Sequence, residues 1–194
     1  MTKTDERSLE TLEVPWPDRM IVHLQMPPAK GLEVMADAPN DKNNDYLLMD
    51  ILLVDDNPGD VRMVVEALKE ALPAARLSVA IDGVDAVRFL RREGRYYKAP
   101  RPDLILLDLR LPKMSGFDVL SEIKRDPDLG RIPIVVQTSS EAPADVQRAY
   151  SLHANCYITK PIDLDEFCRT MRVLAEFWVK IAKLPDGGAH GKSN

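Results

Sequence analysis

From residue 50 onward, short apolar runs alternate with stripes of helical spacing. ILLV (51–54) is an apolar run closed off by Asp55 and Asp56, the pattern of a strand buried on both faces. Asn57 and Pro58 then suit an N-cap and a first helical residue, and Val61, Val64, Val65 and Leu68 fall on one helical face. RLSVAI (76–81) reads as a second strand, with Asp82-Gly83 as the turn after it. Val84, Val87 and Leu90 give a second helical stripe that stops near Gly94. LILL (104–107) is a third strand, and Phe117, Leu120 and Ile123 mark a third helix behind the loop LPKMSG. IPIVVQT (132–138), a helix over 142–152 with Pro143 at its start, and CYIT (156–159) continue the alternation. Leu164, Phe167, Met171, Leu174, Trp178 and Ile181 then run at gaps of 3, 4, 3, 4 and 3 along a long last helix.

Five strands alternating with five helices predict βαβ units, hence an α/β fold: a doubly wound, five-stranded parallel sheet with helices on both faces. Residues 49–183 form this one domain. Residues 1–48 differ from it. They carry Pro15, Pro17, Pro27, Pro28 and Pro39 and hold no sustained period. They read as a largely flexible extension, with MIVHLQM (20–26) the one stretch able to form a short strand. Met49, directly before the first clear strand, leaves a downstream start as a second reading. Residues 184–194, LPDGGAHGKSN, read as a disordered tail.

Composition narrows the function. The chain has 194 residues, 45% of them hydrophobic and 29% charged, enough to bury a core. Its net charge of −5 argues against a chain that wraps nucleic acid or coats an anionic membrane. No apolar run approaches the ~20 residues that span a bilayer, and the polar start MTKTDERSLE has no signal-peptide core, so a cytoplasmic protein is expected. Cys156 and Cys168 lack a zinc spacing and read as reduced, packed thiols.

Open parallel sheets bind ligands beyond the carboxyl ends of their strands. Here the first strand ends in Asp55-Asp56, the third in Asp108, the fourth in Thr138 and the fifth in Lys160-Pro161. One such Asp is commonly a cap or a turn former. Three carboxylates, a hydroxyl and an ammonium at the same sheet edge are hard to explain as capping.

LLVDDNPGD, LILLDLRLPKMSG, IPIVVQTSSE and ANCYITKP resemble the receiver domains of two-component response regulators, over residues 50–183. DNPGDVR, LRREGRYYKAPRPD, ANCYITKP and FWVKIAKLP are most similar to the small single-domain regulators paired with phytochrome-type histidine kinases. The resemblance implies a flavodoxin-like strand order, 2-1-3-4-5. It makes Asp108 the phosphoacceptor and the chain a stand-alone signalling protein, not an enzyme, fed by a separate sensor histidine kinase in a phosphorelay. It implies Mg²⁺ held by Asp55, Asp56, Asp108 and the backbone carbonyl of Arg110, hard oxygens that suit such an ion. Lys160 and Thr138 would contact the phosphoryl oxygens, Pro161 would follow a cis bond, and Thr138 and Tyr157 would form the switch. Unpaired carboxylates this close would raise one another's pKa values.

Some positions depart from the family. Arg110 is bulky for its place two residues past the acceptor, and His153 stands where a helix-ending Gly is usual. Arg110 also weighs against an Asp-nucleophile phosphohydrolase, which needs a second acid there. DDNPGD is likewise hostile to the phosphate of a flavin. No segment after residue 183 could form a DNA-reading helix, so output is expected through protein contact. Phe177 and Trp178 point about 100° apart on the last helix, so one sheet face cannot bury both. They are the expected interface of a homodimer, which the resemblance also implies, with the N-terminal extension folding back over them as the second reading.

Overall fold

A computed structural model of the chain describes residues 24–25, 49–72 and 75–185. Its six strands are β1 (Leu24–Gln25), β2 (Asp50–Val54), β3 (Arg76–Ala80), β4 (Leu104–Leu107), β5 (Ile134–Thr138) and β6 (Cys156–Thr159). They form one sheet in the order β1-β3-β2-β4-β5-β6. All neighbours from β3 to β6 are parallel, so the five expected strands lie in the order 2-1-3-4-5. At one edge, Leu24 and Gln25 pair antiparallel with Leu77 and Arg76. Within the stretch 20–26, Leu24 and Gln25 therefore find a partner in β3. The rest of residues 1–48, and the tail after 185, lie outside the described residues.

Among the described residues, five α-helices cover the sheet: α1 (Pro58–Ala71), α2 (Gly83–Leu90), α3 (Gly116–Arg125), α4 (Pro143–Ser151) and α5 (Leu164–Glu176). Successive strand residues face opposite sides, which splits the core in two. Leu52, Val54, Ile105, Leu107, Ile134 and Val136 pack with α2 and α3, whereas Ile51, Leu53, Leu104, Leu106 and Val135 pack with α1 and α5. The central strands are buried on both faces, so their sequences show unbroken apolar runs without alternation.

The helix starts are set by local chemistry. Asn57 Oδ1 accepts from the N–H groups of Gly59 (2.9 Å) and Asp60 (3.4 Å), with Pro58 leading α1. Asp82 caps α2 by accepting from the Asp85 N–H (2.8 Å), so Asp82-Gly83, expected as a turn, begins a helix instead. Gly83 and Gly116 sit where those helices press on the loop after β4. A Cβ at Gly83 would collide with the Met114 carbonyl, and one at Gly116 with the Asp108 carbonyl.

Three further expectations meet the structure. His153 has φ 66°, the left-handed geometry that ends α4, with Ala154 N–H on Ala149 O (3.0 Å) and His153 N–H on Tyr150 O (2.9 Å). No described peptide bond is cis, so the Lys160–Pro161 bond corrects the expectation of a cis proline. Lys160 stays in strand register, its N–H donating to Thr138 O (2.8 Å), and reaches the sheet edge without a cis bond. The last helix keeps only the middle of its apolar stripe: Phe167 and Met171 are buried, but Leu164 (54% exposed) and Ile181 (71%) are not. Leu164 opens the helix, and Ile181 lies in a π-turn over Phe177–Ile181 closed by Ala182 N–H on Phe177 O (2.8 Å). The wider turn rotates later side chains off the stripe. Cys156 and Cys168 are both free and half-buried.

Candidate functional site

At the carboxyl end of the sheet, β2 delivers Asp55, the residue after β4 is Asp108, β5 ends in Thr138, and Lys160 follows β6. Parallel register brings these ends to one edge. Asp55 N–H donates to Ala80 O (3.0 Å) and Asp108 N–H to Val54 O (2.9 Å), which carries the sheet ladder into the site.

Lys160 Nζ is the centre of the arrangement. It donates to Asp55 Oδ2, Asp60 Oδ2 and Asp108 Oδ2, each at 2.7 Å. All three of its protons are thus committed to carboxylates. The second oxygens of Asp55 and Asp108 accept from the main chain: Asp55 Oδ1 from Asn57 N–H (3.0 Å) and Asp108 Oδ1 from Arg110 N–H (3.1 Å). Burial pushes the Asp55 carboxyl up to about 6; the Lys160 ammonium opposes that shift and the Asp108 carboxylate adds to it. For Lys160, burial alone would favour the neutral amine. The carboxylates of Asp55, Asp108 and Asp60 outweigh it and hold the ammonium well above the usual lysine range.

The donor set fits a divalent cation. Asp55, Asp60 and Asp108 each offer an oxygen within 4.8 Å of the others. Three carboxylates and one ammonium leave a formal charge of −2, which one Mg²⁺ or Mn²⁺ would neutralise, and hard oxygens are what such ions take. Asp56 is exposed and stands outside this cluster. Arg110 is also exposed; its backbone, through the N–H on Asp108, is the part that touches the site.

Thr138 is fully buried beside this cluster. Its Oγ1 accepts from Ser140 N–H at 3.5 Å, and Tyr157 OH donates to Ser140 O at 2.9 Å. Ser140 Oγ donates in turn to Asp145 Oδ2 (2.6 Å) in the first turn of α4, a helix whose N-cap position, Ala142, has no side-chain acceptor. Thr138 and Tyr157 therefore meet through Ser140 and not directly. On the other flank Lys113, held at φ 64°, forms an ion pair with the buried Asp82 and ties the loop after Asp108 to α2.

The strand-end residues Asp55, Asp108, Thr138 and Lys160 gather as the sequence predicts. Asp60 does so too, although its sequence gives only an acid in the first turn of a helix. The usable signal is position: that turn starts three residues after Asp55, above the same sheet edge. Ser140 carries no signal beyond following the fourth strand.

The arrangement has relatives. Residues 51–172 match the response regulator receiver domain. The response regulator Rcp1 of Synechocystis sp. is 46% identical over 135 residues, which span 70% of this chain and 92% of Rcp1. The crystal structure of the phosphorylated cyanobacterial phytochrome response regulator RcpA is 46% identical and superposes with a TM-score of 0.69, covering 71% of this chain and 99% of that one. The Mn²⁺-bound form of Rcp1 gives 45% identity and 0.68 over the same shares. A family match over most of the regular part of the chain, with a 46% identical relative covered almost throughout, shows that this protein belongs to the response regulator receiver family.

Proposed function

We propose that Asp108 accepts a phosphoryl group from a sensor histidine kinase in a reaction that needs Mg²⁺ or Mn²⁺. The observation that carries this reading is Lys160 Nζ held at 2.7 Å from Asp108 within a cluster of net negative charge. One Asp108 oxygen attacks the phosphorus of the phosphohistidine. The O–P bond forms as the P–N bond breaks, and the leaving imidazole nitrogen takes a proton from solvent. Lys160, already on Asp108 Oδ2, meets the charge that gathers on the transferring oxygens, and Thr138 donates to one of them. A cation held by Asp55 and Asp108, with Asp56 and the Arg110 carbonyl beside them, would supply the remaining charge neutralisation. Loss of the phosphoryl group to water regenerates Asp108. The protein is thus a signalling component that turns over only its own phosphate.

Phosphorylation draws Thr138 toward the new oxygens and away from Ser140, which is also the acceptor for Tyr157. A charge change at Asp108 becomes a changed surface on α4 and β6. Output runs through protein contact. The resemblance to RcpA, named as a phytochrome response regulator, supports a phytochrome-type kinase as donor. Val173, Phe177 and Ile181 are exposed at a spacing of four along α5 and its π-turn, with Phe177 edge-on to Trp178 at 5.2 Å. That apolar strip supports a homodimer. The encounter with an ATP-fed kinase belongs to the cytoplasm.

Mass spectrometry after treatment with acetyl phosphate and Mg²⁺ tests the acceptor: one phosphate is expected, and none in Asp108→Asn. Undiminished labelling of that variant overturns the assignment. Sedimentation tests the dimer, which Val173→Asp with Phe177→Asp should convert to monomer while Asp108 still labels.

A further inference from the structure

Lys160 has three acceptors, and only two of them belong to the reaction proposed above. Asp55 and Asp108 each have one oxygen on a main-chain N–H and the other on Lys160. An ion taken up by these two carboxylates competes with the ammonium for the same oxygens. Asp60 differs. Its contact with Lys160 spans 100 residues of sequence, its side chain is partly open to solvent, and it sits in the first turn of α1, where the helix favours a negative charge.

We propose that Asp60 is a positioning residue that holds Lys160 in place when a divalent ion occupies Asp55 and Asp108. The inference rests on the proposed function for the ion and the acceptor. Its physical content is a division of labour among three carboxylates. With the ion absent, the ammonium is the counter-ion of all three. With the ion present, the ammonium leans on Asp60 and stays within reach of the phosphoryl oxygens without being expelled to water. A lysine without that support would have to be re-ordered at each transfer, and its rotamer entropy would oppose the reaction.

The test uses the full chain labelled with ¹⁵N-lysine, since an ammonium held in hydrogen bonds gives an observable NMR signal and a solvated one does not. Lys69, Lys113, Lys124 and Lys160 are all so held, and the signal that Lys160→Ala removes is that of Lys160. In the parent protein that signal should persist through a Mg²⁺ titration. In Asp60→Asn it should be present without Mg²⁺ and vanish on saturation. Survival of the signal in Asp60→Asn at saturating Mg²⁺ overturns the proposal, as does its loss from the parent. A second parent sample labelled with ¹³C-aspartate, if its Asp55 and Asp108 carboxyl resonances ignore Mg²⁺, overturns the ion reading itself, so the two failures are distinguishable.

Kinetics give a second arm. Asp60→Asn should slow labelling by acetyl phosphate roughly tenfold, the worth of one charge-assisted hydrogen bond, and Asp60→Glu should restore part of it. In a Lys160→Ala background, Asp60→Asn should leave the labelling rate at saturating Mg²⁺ unchanged, because Asp60 acts through the lysine. A further slowing on adding Asp60→Asn to that background would mean that Asp60 acts without the lysine, against the proposal.

Discussion

Two lysines at opposite ends of the sheet make the same number of hydrogen bonds and are used in opposite ways. At the carboxyl end, Lys160 donates to three carboxylates. At the amino end, Lys124 on α3 donates to the carbonyls of Gly130 (3.2 Å) and Ile132 (2.9 Å) and to Asn155 Oδ1 (3.0 Å), all neutral. Burial lowers the Lys124 pKa, with no carboxylate to oppose it, whereas the acids around Lys160 reverse the effect of burial there. Neutral dipoles can fasten a lysine but cannot compensate its charge. The amino end is therefore a clasp, joining α3 to the entries of β5 and β6. The carboxyl end holds a charge balance that a new cation or phosphoryl group will upset.

The contrast breaks most sharply at Lys160. Lys160→Ala leaves buried carboxylates uncompensated and should lower unfolding free energy by about 3 kcal/mol at pH 8 in metal-free buffer, seen as a fall in the denaturant midpoint. The loss should shrink at pH 5, where Asp55 is protonated, and Mg²⁺ should restore part of it.

Next in size is the pH dependence of Asp55. Its folded-state pKa is about 6, raised above its ordinary value of 3.8. A carboxyl raised on folding contributes stability that is complete below its unfolded pKa and is lost as pH rises through its folded one. Metal-free protein should therefore lose stability between about pH 4 and pH 7, by up to about 3 kcal/mol from this group. Asp55→Asn should remove that slope in urea titrations at stepped pH. A slope unchanged in the variant contradicts the assignment.

Lys124→Met tests the clasp. Losing its hydrogen bonds to three neutral acceptors should cost about 2 kcal/mol, equally at pH 5 and pH 8, and leave Asp108 labelling intact. A pH-dependent loss would mean that a charge had been missed. The smallest effect lies nearby, at His153, whose positive φ immediately precedes the Ala154-Asn155 entry to β6. His153→Gly relieves that backbone and should add about 1 kcal/mol, read as a higher melting temperature, with no change in phosphorylation.

The same contrast separates what was legible in the sequence from what was not. Asp55, Asp108, Thr138 and Lys160 could be read because each ends a strand, and a parallel sheet brings strand ends together whatever the intervening helices do. Asp60 was hidden in a helix start, where an acid already has a local reason to be. Lys124 was hidden for the mirror reason, as a basic residue in a last helical turn. In both cases the partner is supplied by a distant segment, and periodicity carries no information about such a pair. The π-turn was illegible because a single added residue per turn leaves the spacing of apolar residues looking helical over so short a stretch. β1 was readable as a strand, but its partner edge was not.

Gly83 and Gly116 close on the loop after β4 from both sides, one against Met114 O and the other against Asp108 O. Glycine is the one residue without a Cβ, so any amino-acid replacement at either place drives an atom into main chain that has no rotamer with which to yield. At the level of the gene, codons 83 and 116 can drift only through synonymous changes.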